Sequence, residues 1–443
     1  MLVLFLIWLA LMVVLTAYGQ VRQPRGGALN LSYFFGLSLI HVPGVLPYLA
    51  SDYVPNRQET ETGFQLTIIG MAAFVVGCIV ARFTAPRRRL APPLRLDIFE
   101  GYGWRALAAG FVAYFIAMPV AHGLASLEAL VSPLGALLVV GLWLQFYSAE
   151  IRRDPGRTYR TMAMLPLLPL ATLSTAGFIG YGVNWVLSVI AFQFSLSRRR
   201  IWFYLAAPVV VFLGLSFFVA YMGERSGIRD LVWKENAGIT ERLGRIAQIV
   251  TNFKPLDLTA TQQVDALEDR LNQNYLVGVG VERLQAGVVG LHYGDTFPAW
   301  NLVPRALWPD KPDIGGGGDL VSAFTGIHFD ENTSVGVGQV LEFYMNFGEP
   351  GVILGFLVLG FTLTRIDARI AYALHEGNMP SLLRWAMPGL TLIAPGSNMS
   401  EIIVAAVGAI ISANVLSATP AFGAGVRRRV VRPAGAAFER RPP

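Results

Sequence analysis

The residues best suited to chemistry lie between positions 283 and 344, in a polar stretch of an otherwise apolar chain. The stretch concentrates basic, acidic and aromatic polar side chains: Arg283, His292, Arg305, Asp310, Lys311, His328, Glu342 and Tyr344. Arginine and lysine bind phosphate oxygens, and the planar guanidinium does so with two parallel hydrogen bonds. Glutamate and histidine can accept a proton from a hydroxyl. Together these residue types are compatible with transfer of a group away from a pyrophosphate.

Each of these residue types also has an ordinary structural use. An arginine in a polar loop is commonly solvated or paired with a carboxylate. A histidine more often makes a structural hydrogen bond than acts as a base, so this structural role is the alternative for His292 and His328. Two further ionisable groups each have two interpretations. His41, within an apolar run, fits an intramembrane function or a structural hydrogen bond to a neighbouring helix. Glu401, at the start of another run, either faces the same cavity as the polar loop or caps the helix N-terminus.

The composition of the chain indicates a lipid environment. Of its 443 residues, 54% are hydrophobic and 14% are charged, and the mean hydropathy is +0.50. A soluble domain carries about 25% charged residues, so this chain lacks the polar side chains to cover a globule of its size. The single cysteine, Cys78, excludes a disulfide scaffold and a zinc cluster. The class that remains is a polytopic membrane protein.

Runs of apolar residues predict the helices of such a protein. A helix needs about 20 apolar residues to cross about 30 Å of hydrocarbon. Runs close to this length occur near 1–18, 31–50, 64–83, 104–121, 130–148, 160–176, 178–196, 201–221, 350–365, 383–397 and 401–418. We therefore predict an all-α polytopic integral membrane protein with about 11 transmembrane helices (range 10–12) and one large, partly helical extracytoplasmic loop.

The arginines predict how these helices are oriented, because cytoplasmic loops hold most of the Lys and Arg of a membrane protein. The clusters are Arg22/Arg25, Arg87/Arg88/Arg89/Arg95, Arg152/Arg153/Arg157/Arg160, Arg198/Arg199/Arg200, Arg365/Arg369 and Arg427/Arg428/Arg429. With eleven helices and an N-terminus outside, all of them fall on the cytoplasmic side. Run 1–18 has no basic segment before it and no small-residue cleavage site, so it reads as an uncleaved first helix. The chain is therefore predicted to cross a membrane several times, with its N-terminus outside and its C-terminus in the cytoplasm.

The predicted helices divide the chain into four parts. Residues 1–221 hold helices one to eight, 222–349 form the extracytoplasmic loop with the candidate site, 350–418 hold helices nine to eleven, and 419–443 form a basic, disordered cytoplasmic tail. The loop contains ten Lys and Arg against seventeen Asp and Glu, a net charge of −7, which leaves +13 for the rest of the chain. The basic pI of about 9.5 therefore comes from cytoplasmic loops and gives no indication of nucleic-acid binding. No Asp-x-Asp pair occurs in the loop, which agrees with a site that works without a metal. No cofactor is expected.

Two motifs in and after this loop resemble a known family. Residues 303–312 read V-P-R-A-L-W-P-D-K-P, which is similar to the P-R-x-L-W-P-x-K-P signature of bacterial oligosaccharide repeat-unit polymerases (Wzy-type O-antigen and exopolysaccharide polymerases). Residues 342–351 read E-F-Y-M-N-F-G-E-P-G and resemble the E-x-Y-x-N-F-G-x-x-G element of the same family. The resemblance covers roughly residues 300–360.

The resemblance implies a metal-independent glycosyltransferase. It would polymerise undecaprenyl-pyrophosphate-linked oligosaccharide repeat units into a surface or secreted polysaccharide at the outer face of the bacterial cytoplasmic membrane. We predict Glu342 as the base, with His292 as second choice. The residues predicted to bind pyrophosphate or glycan are Arg283, Arg305, Lys311, Trp308, Tyr344 and Asn346. The expected partners are the lipid-linked oligosaccharide, membrane lipid, a flippase and a chain-length regulator.

Three other functions fit the sequence. A ligase similar to O-antigen ligase would use the same donor and move the glycan to a different acceptor. A polysaccharide or lipid transporter is less compatible, because the chain has no repeated halves and no matched pair of broken helices. A non-catalytic assembly partner would use the loop as a docking surface, and single changes at Arg305 or Glu342 would then be harmless.

Overall fold

The computed structural model describes most of the chain. The described residues are 1–18, 26–50, 55–84, 97–121, 125–176, 179–197, 200–229, 241, 244, 247–248, 251, 253–257, 260–297, 299–303, 307–308, 310, 317–329 and 335–423. Every regular element among them is a helix. The predictions for the tail beyond 423 and for the arginine clusters at 22–25, 87–95 and 427–429 lie outside the described residues.

The chain folds into sixteen α-helices of seven or more residues within the described ranges. They are α1 (Leu2–Tyr18), α2 (Leu29–His41), α3 (Arg57–Phe83), α4 (Asp97–Val112), α5 (Ala125–Val131), α6 (Ala136–Arg152), α7 (Pro155–Met162), α8 (Leu167–Ala176), α9 (Gly180–Leu196), α10 (Ile201–Arg229), α11 (Thr261–Leu271), α12 (Gln273–Gln285), α13 (Gly317–Thr325), α14 (Gln339–Glu376), α15 (Met379–Thr391) and α16 (Met399–Ala418). Single helical turns at Pro43–Val45, Pro47–Ala50, Ser132–Gly135, Ala299–Leu302 and Pro420–Gly423 connect them. A π-helical turn, Ala113–Ala117, extends α4 toward Met118–Ala121.

Six helical stretches in the described part of the chain are long and apolar enough to cross a membrane. They are Arg57–Phe83, Ile98–Ala121, Leu127–Arg152, Ile201–Arg225, Gln339–Glu376 and Met399–Ala418. Three shorter helices, Leu2–Ala17, Leu29–Val45 and Gly180–Leu196, are also apolar. The all-helical class is thus confirmed, and the apolar helices are consistent with a membrane protein. The number of eleven spans and the side of the membrane on which the loop lies stay predictions.

One predicted run is interrupted in the structure. Residues 160–176 do not form a single helix, because α7 ends at Met162 and α8 begins at Leu167. Pro166 stands between them and has no N–H to donate to a preceding carbonyl. The predicted run at 383–397 is similarly shorter as a helix, since α15 ends at Thr391.

The centre of the protein is the contact between α3 and α14, the most extensive between any two of the described helices. The two backbones meet at paired glycines. A Cβ on Gly77 would lie 2.1 Å from the Leu357 carbonyl oxygen, and one on Gly360 would lie 2.1 Å from that of Phe74. Small residues allow helices to approach closely where lipid gives no hydrophobic driving force. This contact fixes the part of α14 that follows Gly348, while Glu342 lies before it.

Helix α12 lies across the beginning of α3 and closes one end of the bundle. Asn274 accepts a hydrogen bond from Thr67 Oγ1 (3.0 Å) and contacts His41 Nδ1 (2.7 Å). The N-terminal amino group of Met1 lies 3.1 Å from Glu61 at this same end. At the opposite end of α14, Asp367 accepts hydrogen bonds from the first backbone N–H groups of α2. The N-terminus and residues 260–297 therefore share one end of the protein, which we call the loop end.

A reporter that is active only in the cytoplasm is expected to give no signal when it is fused after Gly290. The charge pattern predicts that this part of the loop is outside, because the arginine clusters follow the other ends of the helices. The same reporter fused after Gly423 should be active. Activity assays on cells with each fusion measure both orientations, and a strong signal at 290 would contradict the predicted topology.

Candidate functional site

The candidate site forms where α14 breaks. Gly348 has φ +66° and ψ −157°, a backbone conformation that glycine adopts readily and other residues rarely adopt. Pro350 follows two residues later. In an unbroken helix the Asn346 carbonyl would accept from residue 350, but proline has no N–H. The carbonyls of Met345 and Asn346 instead accept hydrogen bonds from the backbone N–H groups of His292 (2.9 Å) and Tyr293 (3.1 Å). The two carbonyl groups at the break therefore hold the segment 292–296, which we call the site loop.

Glu342 lies beneath the site loop and is fully buried. Its Oε1 accepts a hydrogen bond from Thr296 Oγ1 (3.1 Å), and its Oε2 accepts one from the backbone N–H of Met399 (2.6 Å). Met399 is the first residue of α16, where N–H groups have no partner within the helix and a carboxylate is favoured by the helix dipole. Within the described part of the chain, no Lys or Arg pairs with Glu342. Glu342 thus joins three elements: α14, the site loop and α16.

Asn346, one turn after Glu342, is also fully buried and completes this network. Its Nδ2 donates to Thr296 Oγ1 (2.8 Å) and to the Glu342 carbonyl (2.7 Å). Its Oδ1 accepts from the backbone N–H of Gly294 (2.7 Å). Gly294 has φ +99° and Tyr293 has φ +52°, so a tight turn presents these N–H groups to the helix. The acid and the amide hold the site loop in one conformation.

The connection between α15 and α16 supplies the other side of the site. Asn398 Oδ1 accepts from the backbone N–H of Val337 (3.2 Å), and Asn398 Nδ2 donates to Glu401 (3.4 Å). Asn301 Nδ2 donates to Ser400 Oγ. Glu401 lies in the first turn of α16, two residues after Met399, whose N–H binds Glu342. That Glu401 faces the same cavity as the polar loop stays a prediction.

Arg283 lies in the last turn of α12 and reaches α13. Its Nε donates to the Phe324 carbonyl oxygen (3.0 Å), in the last turn of α13. Gly326 follows with φ +72°, and a Cβ there would lie 2.6 Å from Arg283 Nη1. Among the described residues, no carboxylate forms an ion pair with Arg283. The terminal nitrogens of the guanidinium are therefore available to bind an anion.

His292 occupies the beginning of the site loop and is partly exposed. Its ring centroid lies 5.9 Å from that of Phe324, the residue whose carbonyl binds Arg283. Across the described ranges, no hydrogen bond to the imidazole occurs. A partly exposed imidazole with unoccupied nitrogens can reach a bound hydroxyl. Arg283 and His292 thus both contact Phe324, the guanidinium at its backbone carbonyl and the imidazole at its ring.

The structure brings four of the eight predicted site residues together: Arg283, His292, Glu342 and Asn346. Of the others, Tyr344 is buried, at 7% exposed, while Trp308 is 41% exposed. Arg305 and Lys311 lie outside the described residues. No three His, Cys, Asp or Glu side chains of the described residues converge as metal ligands. The roles assigned to all eight stay predictions.

Sequence reasoning missed Thr296, Asn398 and the N–H of Met399. Thr296 is 2% exposed and bridges Glu342 and Asn346. A threonine that follows a glycine-containing turn has no sequence signal for this use. The Met399 N–H is missed for a different reason, since the apolar pattern predicts the start of α16 but not its contact with α14.

Comparison with known proteins gives no family assignment for this chain. No family model matches it, and neither curated proteins nor solved structures give a match.

Proposed function

We propose that this protein is a glycosyltransferase that polymerises lipid-pyrophosphate-linked oligosaccharide repeat units at the loop end. One observation carries the proposal: a cation without a described carboxylate partner and a partly exposed imidazole both contact Phe324. The element that resembles the polymerase motif, residues 342–351, holds the loop that carries this imidazole. The resemblance supplies the substrate class, and the geometry supplies the residues that would act on it.

The reaction needs one bond to break and one to form. The bond between the anomeric carbon of the donor glycan and the diphosphate oxygen breaks, and its electron pair leaves with the lipid diphosphate. A hydroxyl oxygen of the acceptor repeat unit forms the new glycosidic bond, and its proton passes to a base. A cation lowers the barrier by stabilising the charge that develops on the leaving diphosphate.

We assign these tasks to different residues. Arg283 binds the diphosphate through its terminal nitrogens, while its Nε stays on the Phe324 carbonyl. His292 accepts the proton, because its ring is partly exposed and Glu342 is buried with both oxygens engaged. Glu342 and Asn346 act as positioning residues that hold the site loop. This assignment reverses the order in which the sequence ranked the two candidate bases.

Replacing Arg283 by alanine is expected to lower polymer formation by about 100-fold, as for the loss of one donor to a developing charge. Replacement by lysine should recover part of the rate, since the charge returns without the paired geometry. The measurement is the length distribution of glycan made by the purified protein in vesicles that contain lipid-linked repeat units.

Lys254→Ala is the matched control for this experiment, because Lys254 is an exposed cation of the same polar segment. It should leave polymer formation unchanged. Transfer of single repeat units to another lipid, with no elongation, would favour the ligase. Full polymer length with Arg283→Ala would remove Arg283 from the site.

A further inference from the structure

The site loop turns its backbone inward and one aromatic ring outward. The backbone N–H groups of His292 and Tyr293 bind α14, and Thr296 is buried beneath them. The Tyr293 side chain, in contrast, is 73% exposed. Among the described residues its hydroxyl has no hydrogen-bond partner and no other ring packs against it. Within this part of the chain, the ring therefore adds neither a hydrogen bond nor a ring contact to the fold.

The backbone at Tyr293 is strained. Its φ is +52°, in the left-handed region that residues with a side chain rarely adopt. Helix α14 holds this conformation, because the Asn346 carbonyl accepts from the Tyr293 N–H (3.1 Å) and Asn346 Oδ1 accepts from the Gly294 N–H (2.7 Å). A glycine at 293 would adopt the same turn without strain. A tyrosine here lowers stability without a compensating hydrogen bond or ring contact, which is typical of a residue that serves a ligand.

Two further groups share the outer surface of the site loop with this ring. Phe347, at the break in α14, is 44% exposed, and a Cβ on Gly294 would lie 3.7 Å from its Cζ. Asp295 follows Gly294 and is exposed. None of the ion pairs formed by the described residues includes Asp295. The outer surface thus combines aromatic rings and a carboxylate with the partly exposed imidazole of His292.

A sugar ring matches this combination of groups. One face of a pyranose consists of C–H groups, which pack on an aromatic ring, while its edge carries hydroxyl groups that donate hydrogen bonds to a carboxylate. A tyrosine offers a large and rigid contact face of this kind. Contact of the same surface with hydrocarbon is disfavoured, because the Asp295 carboxylate would lose its hydration. The chemistry of the surface therefore favours a carbohydrate over a lipid chain.

We infer that Tyr293, Asp295 and Phe347 bind a sugar ring of the acceptor repeat unit, an inference that rests on the proposed function. His292 directly precedes Tyr293, and consecutive Cα atoms lie about 3.8 Å apart. A sugar packed on the Tyr293 ring therefore lies beside the imidazole that accepts the proton of its hydroxyl. Arg283 binds the diphosphate of the other substrate, the donor. Tyr293 positions the acceptor hydroxyl and takes no part in making or breaking bonds.

Replacing Tyr293 by glycine removes the ring and leaves a residue suited to the turn. We expect the KM for the acceptor to rise about tenfold, the effect of losing one aromatic contact, while kcat stays nearly unchanged. Tyr293→Phe keeps the ring and should behave like the unsubstituted protein. The measurement is elongation by the purified protein in vesicles, with the acceptor concentration varied at a fixed concentration of donor glycan.

Tyr159→Ala is the matched control for these variants. Tyr159 is an equally exposed tyrosine, at 71%, and it lies in α7, outside the candidate site. This change should leave the KM for the acceptor as it is. An unchanged KM in Tyr293→Gly, with or without a lower kcat, would overturn the inference. A loss of the same size in Tyr293→Phe would also overturn it, since the hydroxyl and not the ring face would then make the contact.

Photocrosslinking identifies the occupant without turnover. A benzophenone amino acid replaces Tyr293 in protein reconstituted in phosphatidylethanolamine–phosphatidylglycerol vesicles, and the probe is the oligosaccharide that mild acid releases from lipid-linked repeat units. We expect crosslinks to this oligosaccharide. Crosslinks to phospholipid alone would overturn the inference, because the ring would then anchor the loop in the membrane interface. The proposed function can fail separately: sugar crosslinks at 293 in a protein that elongates glycan under no condition would keep the sugar site and exclude the polymerase.

Discussion

Replacing His292 by alanine is expected to reduce polymer formation by about 100- to 10,000-fold, the range for loss of a positioned general base. The variant removes the only group in the site loop that we assign to proton transfer. The protein should still fold, because the site loop is held by the backbone of His292 and not by its ring. Accumulation of single lipid-linked repeat units in vesicles with the purified variant measures the effect.

Two controls distinguish the loss of the His292 imidazole as a base from a displacement of the site loop. His328 is an exposed histidine of the same polar segment, and His328→Ala should leave polymer length unchanged. Thermal unfolding of His292→Ala, followed by tryptophan fluorescence in detergent, should match that of the unsubstituted protein. Full polymer formation by His292→Ala would exclude the imidazole as the base.

Replacing Glu342 by alanine is expected to destabilise the site as a whole. The Thr296 hydroxyl and the Met399 N–H would lose their acceptors inside the protein, at a cost of about 1–3 kcal/mol for each buried group. The side chain removed is fully buried, so a cavity adds to this cost. We expect a lower unfolding temperature together with the loss of polymer. Glu349→Ala, at an exposed acid on the same helix, is the matched control and should change neither quantity.

Glu342→Gln distinguishes the two roles of this residue. The amide keeps one oxygen for the Met399 N–H and can donate to Thr296, so most of the network survives. A positioning role predicts that this variant folds and retains measurable polymer formation. Stable protein without polymer would instead assign proton transfer to the Glu342 carboxylate, as the sequence predicted first.

The all-helical class and most of the apolar helices could be predicted from the sequence. An 18- to 20-residue apolar run must form its hydrogen bonds internally, so it is helical whatever surrounds it. The break in α14 could also be predicted from the sequence, because Gly348 and Pro350 interrupt the hydrogen bonds of a helix. Interruptions within a run, such as the turn before Pro166, depend on how neighbouring helices take up the freed backbone groups. The apolar pattern alone therefore predicts some helices to be longer and more continuous than they are.

The contacts of the candidate site were decided by the tertiary structure alone. Glu342 accepts from Thr296, 46 residues away, and from Met399, 57 residues away. Arg283 binds a carbonyl 41 residues away. A sequence lists the groups that can donate and accept, but their pairing follows from helix packing. For that reason residue types predicted a chemistry for this protein, whereas only the fold distinguished the buried acid from the partly exposed imidazole.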